Sequence, residues 1–113
     1  AESHAVAQDL NTAEGSYWHG IIHRMEPDSS NAAYWFRRVG QHAIFSPLLS
    51  RAVEILNDGG PKHWHPKNVW DPLLFIDWCD EAREKGDQAG KAAVEIQRAE
   101  WQLLFDWCAH EGR

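Results

Sequence analysis

Apolar side chains recur at i, i+3, i+4 and i+7 along most of this chain, and residues that stop helices cut the runs apart. Trp18, Ile21, Ile22 and Met25 make one such set, and Ala32, Trp35, Phe36 and Val39 make another. At 3.6 residues per turn, each set falls on one face of an α-helix. No stretch alternates long enough to read as a strand. The pattern predicts an all-α fold: a compact single-domain bundle of about five to six helices over residues 1–113.

The punctuation sets the expected elements. A first helix is expected over 2–13, with Val6, Leu10 and Ala13 inward and Gly15 ending it. Ser16 then caps a helix over 17–26, which Pro27 stops by disfavouring helical geometry at Glu26. Ser29, Ser30 and Asn31 offer caps for a helix over 32–39, and Gly40 is a good residue to leave it. Ser46-Pro47 opens a fourth helix that buries Leu49, Ala52, Val53 and Leu56 and ends at Asn57-Asp58-Gly59-Gly60. The prolines and glycines of GGPKHWHPKNVW (59–70) make a solvated loop. Asp71-Pro72 starts a fifth helix to Lys85 with Phe75, Trp78, Cys79 and Ala82 on one face, and Gly86 breaks it.

The sixth helix, 87–110, is apolar on two sides. Val94, Trp101, Leu104, Phe105 and Cys108 form one stripe, and Ile96, Leu103 and Trp107 lie on another. Such a helix is either central or at a subunit contact, so a homodimer through it is a candidate assembly. LLFIDWC (73–79) and LLFDWC (103–108) echo each other with one residue missing, by chance or by an old duplication. In a helix that deletion turns the second half by about 100°, so the two segments present different residues.

A net charge of −6 argues against nucleic acid or an anionic membrane as partner. No apolar run approaches the roughly 18 residues of a membrane span, and no signal peptide is visible. The chain starts at Ala1 rather than Met, which implies that an upstream segment was removed. Cys79 and Cys108 lack metal-ligand spacing and read as buried thiols rather than a disulfide, pointing to the cytoplasm. Seven Trp predict an aromatic core in which each indole N–H seeks an acceptor, and Asp77 and Asp106 are candidate partners for indole or arginine groups.

The chemically able side chains concentrate in WHGIIHRMEPDSSNAAYWFRR (18–38), within the only part of the chain that is not net acidic. His19 and His23 stand four apart on one helix, with Glu26 three further on. Two His and a carboxylate suit a divalent transition metal such as zinc or iron, with His4 and His42 as further ligands. The same His19, His23 and Glu26 are the candidate catalytic set, an imidazole acting as base near neutral pH. Arg24, Arg37 and Arg38, with Tyr34 and Trp35 beside them, form a candidate site for a carboxylate or phosphate. Asp28 and Asn31 bracket the turn and either cap the next helix or join that ligand site. The bland alternative is a polar network in which these groups pair with one another. His63 and His65 share one side of an extended segment, a weaker metal candidate.

The run SYWHGIIHRMEPDSSNAAYWFRRVGQH resembles the signature of a mostly bacterial family of uncharacterised proteins that has fungal relatives. The resemblance rests on Trp18, His19, Gly20, His23, Arg24, Glu26, Asp28, Asn31, Tyr34, Trp35, Phe36, Arg37, Arg38, Val39, Gly40 and His42. It extends more loosely to Ser3-His4, Trp70-Asp71-Pro72 and Glu100-Trp101. Ala43 departs from it, standing where the pattern has proline. The resemblance implies one domain and points to 16–42 as the place of function, and it supplies no reaction.

Two functions follow as expectations. The first is a protein that binds a small molecule or metal, in an enzyme version a hydrolase or lyase, with its pocket built from 17–42. The second is a non-catalytic interaction or structural module, binding another copy or a partner chain, whose His, Trp and Arg residues form a buried packing network.

Overall fold

A computed structural model describes residues 12–111. The described residues form five helices and no strand, so the fold is all-α. They are α1 (Ala13–Met25), α2 (Ser29–Val39), α3 (Phe45–Asn57), α4 (Pro72–Lys85) and α5 (Asp87–Glu111). The chain divides into two compact units between His42 and Ala43. Most of the helix expected over 2–13 lies outside the described residues. Among the described residues no helix is long and apolar enough to cross a membrane.

In the first unit, α1 packs on α2. α1 starts earlier than its sequence suggests: the Thr12 hydroxyl accepts from the Gly15 N–H at 3.0 Å and caps the helix, so Ser16 is buried inside it. Gly15, expected as a breaker, therefore sits in the first turn, where the cap outweighs its low propensity. α2 likewise begins at Ser29, ahead of the expected 32. Asp28 occupies its N-cap position but its side chain makes no capping hydrogen bond; Asn31 Nδ2 donates to Asp28 Oδ2 at 2.7 Å instead. Gly40 ends α2 at φ 67°, a left-handed conformation that suits glycine.

The seam between α1 and α2 is built from Tyr17, Ile21, Ala32, Phe36 and Val39, all buried. Tyr17 and Phe36 meet edge to face at 5.5 Å. Gly20 makes this possible: a Cβ there would lie 2.9 Å from two atoms of the Phe36 ring. Its place between the two histidines thus reflects close helix packing.

In the second unit, α5 packs against both α3 and α4. α3 starts at Phe45, with Ile44 at the N-cap position and no side-chain cap. Its buried face is Phe45, Leu48, Ala52 and Ile55, turned one residue from the expected one, and Val53 is exposed. Apolar residues sit on nearly every side of this helix, so periodicity alone could not fix its orientation. The segment 58–71 is non-helical as expected, yet it is anchored rather than wholly solvated. Trp64 and Trp70 are buried, Trp64 stacks flat on Trp78 at 4.9 Å, and Trp70 lies against Phe75 and Trp78.

α4 starts where the sequence predicts, with Pro72 in its first turn and Asp71 at its N-cap position. Asp71 Oδ1 accepts from the Leu73 N–H at 2.9 Å and the Leu74 N–H at 3.4 Å. Phe75, Trp78, Cys79 and Ala82 are buried as expected. The echoed segments diverge: Phe75 is buried, while its counterpart Phe105 is exposed. Cys79 and Cys108 form no disulfide.

Burial alone would raise the Asp71 carboxyl, but hydrogen bonds from Lys67, Leu73 and Leu74, with the Lys67 charge, together hold it below its ordinary value. Asp71→Ala is expected to destabilise the protein by about 1 kcal/mol, the usual loss for an N-cap. A carboxyl lowered in the folded state stabilises above the unfolded pKa near 3.8 and loses that contribution as pH falls through its folded value. Urea unfolding of both proteins at pH 7 and below pH 3 checks this: the gap between them should narrow in acid.

Candidate functional site

α1, the turn after it and α2 carry the residues proposed from 18–38, and their rings form a ladder. His19 stacks on Trp35 with centroids 4.5 Å apart and planes 25° from parallel. The Arg38 guanidinium sits 5.5 Å above the Trp35 ring and 5.8 Å above Tyr34, a cation–π arrangement. His23 continues the ladder on the other side, 6.5 Å from His19. Its Nδ1 is sealed from solvent and makes no hydrogen bond; it lies 3.5 Å from Glu26 Oε1 and 3.6 Å from Asp28 Oδ2. The ring there faces two carboxylates.

Arg24, expected to hold an anion, is instead 1% exposed, with its guanidinium 5.5 Å above the Phe36 ring. Arg37 is exposed. His42, just beyond α2, turns to α1: Nε2 lies 2.8 Å from Glu14 Oε2, the imidazole is 3% exposed, and its ring meets Tyr17 edge-on. Glu14 and Tyr17 are thus members of the network that sequence reasoning missed. Their signal was blurred because the first helix was expected to end before Gly15.

The described placements do not bring the expected metal set together. Among the described residues no three His, Cys, Asp or Glu side chains form a group that could hold a metal ion. His19 lies flat on Trp35, His42 is engaged by Glu14, and His4 lies outside the described residues. His63 and His65 do not act together either. His63 Nε2 lies 2.5 Å from Glu81 Oε2, which also accepts from the Trp64 indole at 3.3 Å, and His65 is exposed. Desolvation would raise Glu81, but its contacts with His63, Trp64 and Lys85 hold it below its ordinary value. Asp106, expected to serve an indole or guanidinium, accepts from Gln102 Nε2 at 3.0 Å.

A second candidate surface lies on α5. The helix turns Ala89, Ala92, Ala93, Ile96, Glu100 and Leu104 inward. On the opposite face Val94 is 49%, Trp101 44% and Phe105 63% exposed. With Gln97, Arg98 and Gln102 they line an open hollow of about 660 Å³. Of the stripe Val94, Trp101, Leu104, Phe105 and Cys108, only Leu104 is buried, and Ile96 of the second side faces inward.

Two substitutions test the first-unit network. Gly20→Ala should destabilise by about 1–2 kcal/mol, because overpacking against Phe36 outweighs the ~1 kcal/mol that alanine regains in helix propensity. His42→Ala should cost about 1–3 kcal/mol by leaving Glu14 without its partner, and a double-mutant cycle with Glu14→Gln should show coupling. Urea denaturation reads both; a His42 kept for a ligand would leave stability unchanged.

No protein-family model, no curated protein and no solved structure matches this chain.

Proposed function

We propose that this chain is a non-catalytic interaction module that docks a partner chain on the outward face of α5. One observation carries the reading: Val94, Trp101 and Phe105 stand exposed together on one side of the longest helix, around a hollow. Exposed aromatic clusters of this kind, ringed by polar groups, suit protein docking. The polar residues of 17–42 support it from the other direction. His42 is engaged by Glu14, His19 and Arg38 by Trp35, and Arg24 is buried on Phe36, as a packing network requires. A hydrolase or lyase would need His19, His23 and Glu26 to converge on one reacting atom, whereas stacking on Trp35 holds the His19 ring. The thiols of Cys79 and Cys108 suit a reducing compartment, and the cytoplasm is the location this reading assigns.

Site-specific photo-crosslinking in cells tests the module. A benzophenone side chain placed at Phe105 should give one discrete adduct, and the same group at Glu54, exposed on α3, should give none. Equal labelling from both positions, or no adduct from either, overturns the reading.

A further inference from the structure

We propose that the partner on this face is a second copy of the chain, paired antiparallel about a two-fold axis that crosses α5 between Ala99 and Glu100. The inference rests on the interaction-module reading and names its partner.

The spacing supplies the first argument. Lys91, Val94, Arg98, Trp101, Phe105 and Cys108 follow one another by three, four, three, four and three residues. That is the a/d seam of a short coiled coil, in which knobs of one helix enter holes of another. It lies opposite the face formed by Ala92, Ile96 and Leu104, so α5 can keep its contacts with α3 and α4 while the seam is covered.

Charge then selects both the partner and its direction. Among the described residues, Arg98 is the only charged one lining the hollow. In a parallel pair each Arg98 would meet its own copy at the centre of an apolar seam, placing two like charges together. An antiparallel pair centred between residues 99 and 100 avoids this. Arg98 then lies level with Trp101 of the second copy, where a guanidinium over an indole is attractive. The same register sets Val94 level with Phe105 and Lys91 level with Cys108. It also brings Lys91 within two residues of the second copy's Asp106 along the axis, on the same flank, giving an opposite-charge pair on each side of the axis. Lys91 and Asp106 are both exposed and able to make it. Gly90 falls level with Ala109, so small residues at both ends let the helices approach. One short sequence thus supplies both halves of its own complement, which is what an isologous interface demands.

The seam from Val94 to Phe105 spans only about 16 Å of helix. Association should therefore be weak, with a dissociation constant of roughly 1–100 µM.

Sedimentation equilibrium on the full chain tests the partner. The protein should pass from monomer to dimer across that range, and Trp101→Asp, at an exposed position, should weaken association at least ~10-fold with circular dichroism and melting unchanged. A monomer at about 500 µM overturns the proposal, whether the face is covered by the chain's own terminal segment or by a different protein. In that case photo-crosslinking at Phe105 still decides the interaction reading by itself. Oxidation of Lys91→Cys tests direction. The expected disulfide joins position 91 of one copy to Cys108 of the other, since within one helix these positions are about 25 Å apart. Cross-links between the two copies of Cys108 alone would overturn the antiparallel register.

Discussion

A helix that is apolar on two sides can satisfy only one of them inside its own unit. In α5 the inward side is mostly small, Ala89, Ala92 and Ala93 followed by Ile96 and Leu104. Small residues let α3 and α4 approach closely, and that contact orients the whole second unit. The bulkier side chains, Trp101 and Phe105, are thereby turned outward. Had they faced inward, their volume would have held α3 and α4 away from α5. The exposed aromatics follow from how the unit is packed.

The first unit solves a different problem, the placing of His, Arg and Trp heads in two short helices. Gly20 removes a side chain at the crossing, Phe36 fills the space, and Tyr17 meets Phe36 edge-on. That seam leaves Arg24 beside Phe36 and brings His42 to Glu14. A buried imidazole or guanidinium without partners would be costly, so the density of polar heads in 17–42 is matched by a density of contacts among them. Stacking, rather than convergence on a point, is the arrangement these contacts produce.

The all-α class and all five described helices were legible because amphipathic periodicity and strong punctuation agreed. Asp71-Pro72 and Gly86 bound α4 as written. Other starts moved despite a signal: Thr12 rather than Ser16 capped α1, and α3 began at Phe45, ahead of Ser46-Pro47, with no side-chain cap. The orientation of α3 and α5 was not legible, since each carries apolar residues on more than one side and only the neighbours decide which is buried. In the site, the nearness of Arg38 to Tyr34 was legible from their spacing on one helix, while the stacking of His19 on Trp35 joins two helices and was not legible. The partnership of His42 with Glu14 was not, because 28 residues separate them and only tertiary packing brings them together.

The burial that remains possible on α5 is also what limits any assembly there. Fully burying a large apolar side chain contributes roughly 1.5–3 kcal/mol, and Val94, Trp101 and Phe105 are each already about half covered or somewhat less. Their remaining gain is comparable with the lower end of the cost of holding two chains together. Apolar area alone would therefore leave the face wet and unspecific. Arg98 changes the balance, since a guanidinium in the middle of the seam is unfavourable against most surfaces and favourable against an indole or a carboxylate. A single charged residue among apolar neighbours thus acts mainly by rejecting wrong partners and wrong registers. That lets a weak surface remain a selective one.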